Sequence, residues 1–99
     1  MEADDVMFDQ AADEVVDLAN RLANDHPDTD LWDIADGLLA GVVHYWLFSR
    51  KPCGDPQCED CAPIATADLR LEELIRLARQ SARDSDLYHQ PEDADVGRA

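Results

Sequence analysis

Positive charge is what this sequence has least of: 8 Lys and Arg stand against 23 Asp and Glu in 99 residues, for a net charge of −15. A surface of that sign repels phosphate, which argues against direct binding to nucleic acid or to an anionic membrane. Long apolar runs are lacking too. The longest stretch free of charge, Gly37 to Ser49, holds 13 residues and includes His44, short of the roughly 20 needed to span a bilayer. The opening Met-Glu-Ala-Asp-Asp has no basic start and no apolar run, so no secretory signal is read there and a cytoplasmic protein is expected. Several catalytic signatures are missing as well: a glycine-rich phosphate loop, an H-E-x-x-H, and the E-x-x-H pair of di-iron bundles. Asp33 and Asp36 could serve as paired carboxylates, but a solvated first helical turn explains them more simply. The expectation is a non-catalytic protein.

No segment alternates apolar and polar residues with a period of two for long enough to make a strand, whereas a period near 3.6 recurs three times. In the first helix, expected from Asp5 to about Asn24, Phe8, Ala11, Val15, Leu18 and Leu22 form one stripe. Asp4 or Asp5 can cap it, and His26-Pro27 ends it, because proline pushes the preceding residue out of the helical region. Asp9, Asp13 and Asp17 stand four apart on its outer face, an arrangement that costs a few tenths of a kcal/mol per pair.

The second helix is expected from Leu31 to Ser49, capped by Thr29 or Asp30. Leu31, Ile34, Leu38, Val42, Tyr45 and Phe48 make one face, while Trp32, Leu39, Val43, Trp46 and Leu47 cover much of the rest. A helix apolar nearly all round is expected to be central and buried. Gly37 and Gly41 each cost about 1 kcal/mol relative to alanine within a helix, which suggests that another helix comes close there. With two other helices in the chain, part of this surface is expected to meet a second copy as a homodimer.

The third helix is expected from a Thr66 cap to about Arg83, with Leu71, Leu74, Ile75, Ala78 and Ala82 inward and Glu72 paired to Arg76 outside. Together these give an all-α fold, a small three-helix bundle forming a single domain over residues 1–84. Residues 85–99, with Pro91, Gly97 and further acids, read as a flexible acidic tail.

Three cysteines lie within nine positions between the second and third helices, in Lys-Pro-Cys-Gly-Asp-Pro-Gln-Cys-Glu-Asp-Cys-Ala-Pro. An odd number so clustered suits a reduced compartment and a ligand set better than a disulfide framework. The spacing of Cys53, Cys58 and Cys61 is C-x4-C-x2-C; a C-x2-C pair lets two thiolates reach one ion from a tight turn, and Gly54, Pro56 and Pro63 supply the bends. Structural zinc takes four ligands in a tetrahedron, and His44, near the end of the second helix, is the expected fourth. His89 and His26 are the reserves. Arg50 and Lys51 adjoin the loop and can offset thiolate charge, since three thiolates with one zinc sum to −1.

Two other chemistries fit the cysteines less well. A Cys58/Cys61 dithiol could cycle with a disulfide, but the βαβ surroundings of a thioredoxin-like motif are absent; an iron–sulfur cluster could use C-x4-C-x2-C, but needs a fourth cysteine.

The charge is uneven. Residues 1–49 carry 12 acids and one base, Arg21, for −11, whereas residues 50–99 carry 11 acids and 7 bases, for −4. Seventeen of the acids are Asp and Lys51 is the one lysine, a bias that halophilic or high-GC proteomes produce without functional meaning. The functional reading is an acidic face that meets a basic protein partner. The alternative, prompted by the aspartate row, is a DNA mimic that inhibits a nucleic-acid-binding protein.

Overall fold

The computed structural model describes residues 2–91, with side chains described from Asp5 onward. Three α-helices and one 3-10 turn account for its regular structure, with no strand among the described residues: α1 (Glu2–Asp25), α2 (Leu31–Ser49), the 3-10 turn Ala62–Ile64, and α3 (Ala67–Asp84). The fold is all-α, as the periodicity requires. None of the helices, among the described residues, is long and apolar enough to cross a membrane. The chain divides at Ser49 into two compact units, Met1–Ser49 and Arg50–Ala99. That division falls inside the span 1–84 expected as one domain, at the point where α2 ends and the proline-rich loop begins.

The first unit is a helical hairpin. Its first helix begins earlier than expected, at Glu2, so Asp4 and Asp5 lie inside the opening turns instead of capping them. The carboxylate of Asp5 is favoured there by the partial positive charge of a helix N-terminus. The helix closes with the His26 amide donating to the Leu22 carbonyl at 3.0 Å, and a turn follows in which the Thr29 amide donates to the His26 carbonyl at 3.0 Å. Of the two candidate caps for α2, Asp30 takes the role: its Oδ1 accepts from the Trp32 amide at 2.9 Å. Its carbonyl accepts the first helical bonds, from Asp33 and Ile34. At the other end the Ser49 hydroxyl donates to the Trp46 carbonyl at 2.7 Å.

The hairpin packs through its stripes, with Leu18, Ala19, Leu22 and Ala23 of α1 and Ile34, Leu38, Val43 and Trp46 of α2 half-buried. The expectation of a buried central α2 is corrected, because no described residue is buried at all. A pair of helices has only one mutual seam, so an all-round apolar helix keeps most of its circumference uncovered. Trp32 is 79% exposed and Tyr45 68%. The close approach expected at Gly37 and Gly41 is likewise absent within the hairpin: a Cβ at either position would meet nothing within 4 Å.

In the second unit, Thr66 caps α3 as its sequence position suggests. It has extended backbone (φ −123°, ψ 164°), and its Oγ1 accepts from the Leu69 amide at 3.1 Å. Just ahead of it, the Arg70 guanidinium donates to the Ile64 carbonyl at 3.0 Å, tying the 3-10 turn to the first turns of α3. This bond sets which face is covered. Arg70, Glu73, Leu74 and Leu77 are half-buried with Ile64, whereas Leu71 and Ile75, expected inward, are exposed. The expected Glu72–Arg76 pair is corrected to Glu73–Arg76, with Nε at 3.1 Å and Nη2 at 2.6 Å from the two carboxylate oxygens. Residues three apart are neighbours on a helix as much as residues four apart, and the planar guanidinium matches both oxygens at once. Of the expected tail, residues 85–91 are placed in turns. The Ser85 amide donates to the Ala82 carbonyl and the Tyr88 amide to the Ser85 carbonyl. The remainder, residues 92–99, lies outside the described residues.

Candidate metal centre

The loop from Arg50 to Thr66 is held by local hydrogen bonds that fold its cysteines toward one point. Gly54 has φ +93°, a value that side chains resist and that reverses the chain just after Cys53. Asp55 then organises the next turn: its Oδ1 accepts from the Gln57 amide at 3.0 Å, and its carbonyl accepts from the Cys58 amide at 3.1 Å. An aspartate followed by proline does this readily, since the side chain mimics a backbone turn and the ring presets the next φ. Beyond Cys58 the Ala62 amide donates to the Glu59 carbonyl at 3.3 Å and the Ile64 amide to the Cys61 carbonyl at 3.0 Å, the latter bond closing the 3-10 turn Ala62–Ile64. Finally the Cys53 amide donates to Cys61 Sγ at 3.4 Å and draws the two ends of the loop together.

The result is that the sulfurs of Cys53, Cys58 and Cys61 lie within 4.8 Å of one another. All three are free thiols, Cys53 exposed and the other two half-buried. A cavity of about 190 Å³ opens beside Cys58 and Cys61, walled by Pro52, Pro56, Ala62 and Ala65. In a tetrahedral zinc site with Zn–S near 2.3 Å, sulfurs stand about 3.8 Å apart. The observed spacing therefore needs an inward adjustment of about 1 Å at most, well within side-chain rotation, for one ion to touch all three.

The electrostatics favour the anion at one sulfur in particular. The Cys61 amide, followed by the thiols of Cys61 and Cys53 and by the Asp60 amide, points at Cys58 and holds its thiol below its ordinary value. Cys61 goes the other way. The Cys53 amide favours its thiolate, but its hydrogen bonds to the Cys58 and Cys53 sulfurs, its desolvation and the nearby Cys53 charge together push it up. Three adjacent thiolates oppose one another's ionisation, and a divalent cation between them removes that opposition.

His44 is on α2 in the first unit and His26 just beyond the end of α1. His89, in the turns after α3, packs edge-on to Tyr88 with ring centroids 4.9 Å apart. Among the described residues, the cysteine triad is the set of possible metal ligands that comes together. The backbone donors, the amides of Cys53, Asp60 and Cys61, do not follow from the cysteine spacing itself. The signal for them was present in the C-x2-C turn and in Gly54, since a turn that brings two thiols together also turns its amides inward.

The chain matches no protein-family model, no curated protein and no solved structure.

Proposed function

We propose that this is a non-catalytic, zinc-binding helical protein that acts by protein–protein interaction, its metal fixing the loop that leads into α3. One observation carries the reading: three free thiols gathered within 4.8 Å by their own loop's hydrogen bonds. Thiolate ligands select zinc, copper(I) or iron–sulfur clusters, and zinc needs no fourth cysteine. A site that holds a loop in one shape has a structural use and requires neither an open coordination position nor a general base. The −11 charge of residues 1–49 supports a basic protein as the partner.

The experiment is zinc titration of the reduced full chain against Cys58→Ser, followed by thermal unfolding with and without chelator. Zinc should bind one per chain and raise the melting temperature, and the substitution should abolish both effects. Identical melting curves with and without chelator would refute the reading.

A second reading has its own observation. Asp9, Asp13 and Asp17 are all exposed on α1, four residues apart and so in a row along one face of the helix. On that reading the protein is an inhibitor that competes with DNA for a nucleic-acid-binding protein. Its complex would weaken steeply with salt, and a partner that binds this chain and DNA simultaneously would exclude it.

A further inference from the structure

The α1–α2 hairpin carries an apolar groove that its own unit leaves open. It encloses about 670 Å³ and runs between two stripes, with Val15, Leu18 and Leu22 on one side and Ile34, Leu38 and Val42 on the other. Gly37 and Gly41 line it, and Asp33 is the one charged residue among its lining. A Cβ added to either glycine would meet nothing within 4 Å, so the notch these residues cut into α2 is unused within the hairpin.

At the end of the hairpin away from its turn, exposed aromatic rings follow. Phe8, in register with the α1 stripe, is 62% exposed; Tyr45 is 68% exposed and pairs with Phe48, 60% exposed, at a centroid distance of 5.7 Å. Aromatic side chains offer about 150–250 Å² each, so these three leave roughly 300–450 Å² of apolar surface to be covered. The exposed parts of Val15, Leu31 and Val42 extend the same side. Together they approach the ~800 Å² that one partner contributes to a stable interface.

Charge decides what covers it. By helical spacing, Asp9, Asp13 and Asp17 lie on the opposite side of α1 from Val15, Leu18 and Leu22. A basic partner is therefore drawn to the outer face, while the groove offers it one carboxylate. What fits the groove is an equally apolar face, notched to admit a helix closely, and a second hairpin of the same sequence presents that face.

We propose that the α1–α2 groove is the dimerisation surface of this protein, filled by the hairpin of a second copy about a two-fold axis, so that four helices share one core. Such an interface is self-complementary, and it places the acidic faces of both copies outward. The proposal is independent of the zinc site, which belongs to the other unit.

The test is sedimentation of the full chain in reductant, from low micromolar to several hundred micromolar, with Gly41→Leu and Tyr45→Glu alongside. The wild type is expected to be a dimer with or without chelator, and to tighten as salt screens the repulsion between two acidic hairpins. Gly41→Leu is expected to raise the dissociation constant roughly 100-fold by filling the notch on both copies. Its helical circular dichroism should be equal to or above that of the wild type, because leucine is the better helix former and a Cβ at this position meets nothing within 4 Å. Tyr45→Glu changes an exposed residue and should weaken the dimer without loss of helix. A monomeric wild type, a dimer that reductant or chelator dissolves, or dissociation constants unaltered by both substitutions would each overturn the proposal.

Discussion

Thr66 joins the cysteine loop to α3, and replacing it with alanine tests whether the two are built as one piece. Its Oγ1 accepts one hydrogen bond, from the Leu69 amide at 3.1 Å, with the extended backbone an N-cap requires. Removing such a cap costs about 1 kcal/mol, within a range of roughly 0.5–2. The low end is not expected, because the Arg70 bond to Ile64 packs this turn and prevents it from refolding around the loss. In urea unfolding followed by far-UV circular dichroism, Thr66→Ala should lower the midpoint with unchanged slope. Thr66→Ser should restore it, and Thr66→Gly should lose only a few tenths of a kcal/mol. The metal adds a second readout. Because the 3-10 turn begins at the carbonyl of Cys61, fraying the start of α3 loosens a ligand, and zinc affinity should fall by a similar factor, about fivefold. A Thr66→Ala variant as stable as the wild type, or one that is destabilised while binding zinc with full affinity, would refute this coupling.

Gly54→Ala forces a side chain onto φ +93° in otherwise open space, so its cost is backbone strain alone, about 1–2 kcal/mol; weaker zinc binding by isothermal titration is the expected outcome. Glu73 is held below its ordinary range chiefly by the Arg76 guanidinium. Its contribution to stability is therefore present above the unfolded value and lost as pH falls through the lowered folded one, so the wild type and Glu73→Gln should converge in melting temperature on acidification below about pH 4.5. Asp30→Ala removes the cap on the Trp32 amide and should cost about 1 kcal/mol of hairpin stability by urea unfolding. Cys53→Ser and Cys61→Ser should each reduce zinc binding as Cys58→Ser does; full affinity in either would reduce the site to two thiolates.

The helices were legible because their evidence is local. The α2 boundaries, the Asp30 option and the Thr66 cap follow from residues that signal a start or stop within a few positions. The cysteine cluster was legible for the same reason, since its ligands, bends and amides all lie within one loop. Misreadings came where a neighbour decides the outcome. Which side of α3 is covered depends on the Arg70 bond to Ile64, and a periodic pattern containing Leu71, Leu74 and Ile75 does not say which leucine faces the 3-10 turn. The burial of α2 was misread because an apolar circumference states what a helix needs, not what its own chain provides.

X-ray absorption at the zinc edge of the loaded, reduced chain measures directly whether three thiolates of one loop hold one metal ion. Three sulfurs near 2.3 Å and one nitrogen or oxygen scatterer are predicted, with all three thiols protected from a thiol reagent until chelator is added. A shell of nitrogen and oxygen alone, or three thiols that react at full rate in the presence of zinc, would contradict it.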